Sequence, residues 1–99
     1  MQIFKIRNAE GQFSKGGMSG QTKWGWSSQG KSWSGSGPLR RHLAQYLPTC
    51  GSSRMTGIPS DWVVVEITLI MQPGEDNKIS ASATVQEYNA VEFYNKTNI

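Results

Sequence analysis

Trp62-Val63-Val64-Val65-Glu66-Ile67-Thr68-Leu69-Ile70-Met71 is the longest apolar run in the chain, and its reading decides the fold. Alternation puts Val63, Val65, Ile67, Leu69 and Met71 on one face and Trp62, Val64, Glu66, Thr68 and Ile70 on the other. β-Branched residues on both faces predict a strand inside a sheet, not at its edge. The run is interrupted by Glu66 and Thr68 and is too short to span a bilayer, so no membrane segment is expected. Glu66 asks for a partner: Lys5 or Arg7 across the sheet, or a solvent-facing side.

Upstream of that strand, Ser34-Gly35-Ser36-Gly37-Pro38 marks a helix start, with Pro38 at the first helical position and Gly37 or Ser36 at the cap. Leu39, Leu43, Tyr46 and Leu47 form one stripe, while Arg40, Arg41, Ala44 and Gln45 look outward. Pro48 stops the helix. At this length it must pack on the sheet to persist. A long loop over 49–60 joins it to the strand.

The N-terminal third reads as a meander. Residues 2–7 alternate, Asn8-Ala9-Glu10-Gly11 is a turn in which Gly11 takes a positive φ, and Gln12-Phe13-Ser14 returns. A loop over 16–20 follows. Lys23-Trp24-Gly25-Trp26 puts both indoles on one side if it is extended. Ser27 to Gly30 turns, and Lys31-Ser32-Trp33 is a short third strand.

Downstream, 73–77 is a solvent loop. The tail has two readings. Ile79 to Val85 alternates at period two, whereas Thr84-Val85-Gln86-Glu87 matches a capping box for a helix over about 85–95. A strand followed by a helix is preferred. The expected fold is therefore α+β: an antiparallel sheet of about four strands, one central helix packed on it, and a short C-terminal helix. The 99 residues form a single small domain, 1–99, with one modest core. A hydrophobic fraction of only 36% makes it loop-rich, so ten aromatic residues must supply much of the buried area. A homodimer is compatible with so small a core.

The net charge of +3 hides a division. Residues 1–55 carry eight Lys/Arg and one acid, and residues 56–99 carry six acids and two lysines. The basic half suits an anionic partner. A single cysteine, Cys50, excludes an internal disulfide and a thiolate metal cluster and favours a reducing compartment. No signal-peptide pattern opens the sequence. Asn95-Lys96-Thr97 matches the glycosylation pattern, which has no meaning without secretion.

Phe4-Lys5-Ile6-Arg7-Asn8, Gly11-Gln12-Phe13-Ser14-Lys15-Gly16-Gly17, Trp26 through Gly30-Lys31-Ser32-Trp33, and Leu39-Arg40-Arg41-His42-Leu43 occur in that order. This arrangement resembles a family of small proteins encoded by tailed bacteriophages. The likeness covers roughly residues 3–43, with a looser similarity at 62–66 and 84–88. It implies an accessory or early product acting in the cytoplasm of the infected host cell, and it carries no chemistry. Here glycine-rich spacers stand where related proteins carry more lysines around the second tryptophan.

Trp24, Trp26 and Trp33 lie among Lys23, Lys31, Arg40 and Arg41. They admit three readings: core, a protein interface anchored by indoles, or a stacking platform for single-stranded nucleic acid. Three indoles within ten residues are not expected all to be buried. Gly25-Trp26-Ser27-Ser28-Gln29-Gly30-Lys31-Ser32 matches the phosphate-loop pattern, but Gly35, Gly37 and Pro38 forbid a helix running on from Lys31, so the match is coincidental. His42, the only histidine, has no second His or acid cluster with which to bind metal. A small hydrolase centred on His42 would need a thiol or carboxylate beside it, with Cys50 and Asp61 the candidates.

No catalytic residue, metal ligand or cofactor is assigned. The expectation is a non-enzymatic accessory protein that binds a host or phage protein with an acidic surface. Its partner-binding residues would be Lys23, Trp24, Trp26, Lys31, Trp33, Arg40 and Arg41. Single-stranded nucleic acid is the alternative partner.

Overall fold

A computed structural model describes residues 1–17, 23–48, 57–74 and 78–96. Five strands and two helices follow in the order β1 (Gln2–Arg7), β2 (Phe13–Ser14), β3 (Trp26–Ser27), α1 (Ser36–Ala44), β4 (Val63–Pro73), β5 (Ile79–Asn89) and α2 (Ala90–Lys96). The class is α+β, as expected. The sheet has five strands where about four were expected, all antiparallel, in the order β3-β2-β1-β4-β5. The loop positions expected at 18–20, 49–56 and 75–77, together with Cys50 and Thr97, lie outside the described residues.

The first turn forms as its residues dictate. Asn8 Oδ1 accepts from the N–H groups of Glu10 at 3.0 Å and Gln12 at 2.9 Å, and Gly11 sits at φ 80°. The third strand is displaced. It is Trp26–Ser27 that pairs with β2, and Trp33 instead makes an isolated bridge to Phe4, with both N–H···O distances at 2.8 Å. Lys23–Gly25 is a 3-10 turn, not an extended segment, so the two indoles diverge: Trp24 is exposed and Trp26 packs inward.

β4 has the two faces read from its alternation. Register opposes Phe4 to Glu66, Ile6 to Val64, and Val64 to Tyr88, which defines the face that carries the core. Leu39, Leu43 and Tyr46 are fully buried on it together with Ile6 and Val64, and Phe93 of α2 packs against them. α1 begins two residues earlier than the proline suggested: Ser36 opens it, Gly35 is its extended N-cap, and Pro38 lies within its first turn. Arg40, Ala44 and Gln45 are half-buried, not outward.

The tail corrects the capping-box reading. β5 continues through Thr84 and Glu87 to Asn89, because β4 offers a full-length partner from Val63↔Asn89 to Pro73↔Ile79. The cap is Asn89, whose Oδ1 accepts from the N–H groups of Val91 at 3.0 Å and Glu92 at 3.2 Å. Glu66 is corrected as well. It lies on the face of Phe4, accepts from Gln2 and from the Tyr88 hydroxyl at 2.7 Å, and leaves Arg7 to pair with Glu87 at 2.7 Å on the opposite face. Lys5 instead donates to the Gln29 carbonyl at 2.6 Å.

Candidate partner-binding surface

The aromatic residues of the basic half divide between core and surface. Trp33 is 5% exposed and Trp26 is half-buried against Trp62, with ring centres 4.8 Å apart. A continuous aromatic row runs Trp33–His42–Tyr46–Trp62–Trp26, each step between 4.8 and 5.2 Å. Such edge and tilted contacts favour one fixed packing of α1 over the sheet. Trp24 is 75% exposed.

One backbone bond brings the Lys15 main chain to the residue after Trp24. The Lys15 N–H donates to the Gly25 carbonyl at 2.8 Å, next in sequence to Trp24, and the Lys31 N–H donates to the Ser14 carbonyl at 2.7 Å. Lys15 and Lys31 thereby line one shallow hollow of about 290 Å³ with Ser27, Gln29 and Gly30. Glycine is required at its floor. Gly30 has φ 66°, and a Cβ there would lie 2.5 Å from Phe13 Cβ. Gly16, at φ 84°, would place a Cβ 2.6 Å from Lys31 Cδ. Ser27, Gln29, Gly30 and Lys31 belong to the phosphate-loop match, but Ser27 is in a strand and no helix opens at Lys31, so the helical cradle is not built.

The remaining residues of the expected surface fall as follows. The Lys31 ammonium lies 5.4 Å from the Trp33 ring centre, so this pair marks where the surface meets the core. The Arg40 guanidinium stacks 4.3 Å from the ring centre of Tyr94 and ties α1 to α2, with its Nε buried and unbonded. Arg41 is exposed on α1. The Lys23 side chain lies outside the described residues. Lys15 is the residue that pattern reading omitted. Its only signal was its place directly after the Phe13-Ser14 strand, within the glycine-rich segment.

His42 belongs to the core margin. Its Nδ1 is 2.7 Å from Gln45 Nε2 and its Nε2 is 2.8 Å from the Tyr46 hydroxyl. An amide donor at Nδ1 assigns the proton to Nε2 in the neutral ring. Burial, and then the nearby cation of Lys31, push His42 down to about 4. Burial likewise pushes Tyr46 up to about 12. The same Gln45 amide donates to the Gly17 carbonyl at 2.8 Å, linking this cluster to the glycine-rich loop.

A second concavity of about 350 Å³ lies at the other end of the core, between Glu66, Tyr88, Glu92 and Phe93. There Glu66 raises the Tyr88 hydroxyl's pKa above its ordinary value by accepting its hydrogen bond. Among the described residues no group of three or more His, Cys, Asp or Glu is placed to hold a metal ion, and no helix is long and apolar enough to cross a membrane. No protein-family model matches the chain, and no curated protein or solved structure matches it.

Proposed function

We propose that this chain is a non-enzymatic binding protein whose partner is a protein with an acidic surface. Trp24 is the apolar anchor, and Lys15 and Lys31 are the cations that steer and seat the partner. The observation that carries this reading is the exposure of Trp24, one residue before the Gly25 carbonyl that accepts from the Lys15 N–H, with Lys15 and Lys31 lining a hollow in which Gly30 leaves no room for a side chain. An exposed indole flanked by cations is the composition of an interface hot spot. The resemblance to small tailed-phage proteins supports an accessory role in the cytoplasm of an infected host, directed at a host or phage protein.

Single-stranded nucleic acid is the second reading, favoured by the two lysines and one indole that would take a phosphate and a base. A stacking platform gains from successive aromatic residues along the strand. Here Trp26 and Trp33 are engaged in the aromatic row, which weighs toward a protein partner. A hydrolase centred on His42 has less support. The ring's hydrogen-bond partners are an amide and a phenol, and its low pKa leaves it a weak base.

Titration of tryptophan fluorescence with single-stranded oligonucleotides separates the two binding readings. The protein-partner reading expects no saturable quenching at physiological salt. Saturable quenching that falls steeply with salt and disappears in Trp24→Ala would replace it with the nucleic-acid reading.

A further inference from the structure

α1 and α2 both pack on one face of the sheet, the face of Phe4, Ile6 and Val64. The other face of β4 carries Val63, Val65, Ile67, Leu69 and Met71 without a polar residue. Register sets Val85, Ala83 and Ala81 of β5 opposite Ile67, Leu69 and Met71. Antiparallel sheets that meet water on one side are polar there. Near Val65, which is 5% exposed, this face carries Lys5, Arg7 and Glu87, but its outer part is apolar and open: Met71 is 71% exposed, Ile79 70% and Val85 58%.

We infer that the open face of the β4–β5 ribbon is a dimer interface, packed sheet-to-sheet on the same face of a second copy of this chain. Three observations select that occupant. The first is area. The chain exposes 6508 Å², whereas a folded monomer of 11.0 kDa exposes about 5,600 Å². The exposed Met71, Ile79 and Val85 contribute to that surplus, and one partner of a standard interface buries roughly 800 Å². The radius of gyration, 15.5 Å against about 12.6 Å for a compact chain of this length, agrees with a ribbon that projects.

The second observation is charge. Glu87 is the acid on the β5 part of this face, and Arg7 pairs with it within the chain at 2.7 Å. The apolar patch beyond it offers a charged partner nothing to recognise, while a copy of itself meets no like charge there. The third is shape. Bulky Leu69 and Met71 lie beside small Ala83 and Ala81, so a two-fold axis sets the large row of one copy over the small row of the other. This surface is separate from the Trp24 hollow and does not depend on it.

Sedimentation equilibrium of the full chain over a wide concentration range tests the inference, with Val85→Lys and Met71→Lys as interface variants. Ser82→Lys, on the same strand but the opposite face, is the control. The expected result is a species of twice the 11.0 kDa chain mass. Its dissociation constant should rise on the order of a hundredfold in either interface variant and stay unchanged in the control. Val85 and Met71 are exposed, so both variants should keep the wild-type circular dichroism spectrum. A wild type that stays monomeric at every concentration overturns the inference. So does a dimer that survives Val85→Lys, which would point to pairing along the β5 edge instead.

Discussion

The Tyr46 hydroxyl sits 2.8 Å from Nε2 of His42, four residues earlier in the chain, and the two rings meet nearly perpendicular with centres 5.2 Å apart. Gln45 closes the other side of the imidazole, so the ring is held neutral between an amide and a phenol. This pair joins the end of α1 to Trp33 on one side and Trp62 on the other, the centre of the aromatic row that fixes the helix on the sheet.

A pH dependence follows. In the unfolded chain His42 takes a proton near its ordinary pKa of about 6.5. In the fold it resists until about 4. Because the unfolded state binds the proton first, this contribution to stability is present above the unfolded pKa and is lost as pH falls toward the folded one. His42 is the only histidine, so the slope of Tm between about pH 5 and 6.5 reports on it. Thermal melts should show Tm falling with pH across that window and a flatter slope in His42→Gln. An unchanged slope in the variant would contradict the burial of this ring.

The tryptophans should separate by stability. Trp33→Ala removes a buried side chain and should cost about 3–5 kcal/mol, enough to unfold a domain of this size or bring it near that point. Trp24→Ala should cost less than about 0.5 kcal/mol, as exposed positions do. Urea denaturation measures both. Equal losses would remove the distinction between core and surface indoles.

Gly30 and Gly11 form a matched comparison. Both hold positive φ, but a Cβ at Gly11 meets nothing within 4 Å, whereas at Gly30 it would collide with Phe13 and the Ser14 carbonyl. Gly11→Ala should cost about 1–2 kcal/mol from backbone strain alone. Gly30→Ala should cost more and should disturb the hollow between Lys15 and Lys31. Chemical-denaturation midpoints rank the two.

The start of α2 is tested by Asn89→Ala, which removes the acceptor for two N–H groups and the donor to the Ser60 carbonyl at 2.7 Å. The expected cost is about 1 kcal/mol. Thr84→Ala, at the residue that pattern reading took for the cap, should cost less, because that threonine is exposed within β5.

What the residues announced, and what they hid, can be traced to range. The Asn8 turn, the two faces of β4 and the Leu39–Leu43–Tyr46 stripe depend on local chemistry or simple periodicity, and all three were legible. The Thr84–Glu87 capping box was locally sound but lost to eleven residues of β4 offering a complete ladder. Neither candidate partner of Glu66, Lys5 or Arg7, was the right one, because its partners, Gln2 and Tyr88, are set by a register that no local pattern reveals. The Trp24–Trp26 divergence depends on a 3-10 turn that the glycine between them permits but does not announce. Of the candidate surface, Trp24 and Lys31 were named in advance. Lys15 came into view only through its backbone bond to Gly25.

The most direct test of the Trp24 surface compares capture from bacterial lysate on immobilised wild type, Trp24→Ala and the double variant Lys15→Glu/Lys31→Glu. A discrete acidic protein should be retained by the wild type, survive nuclease treatment, elute with salt, and be lost from both variants while their melting temperatures stay unchanged. Retention of the same protein by all three chains would contradict the account, as would a wild-type complex that nuclease dissolves.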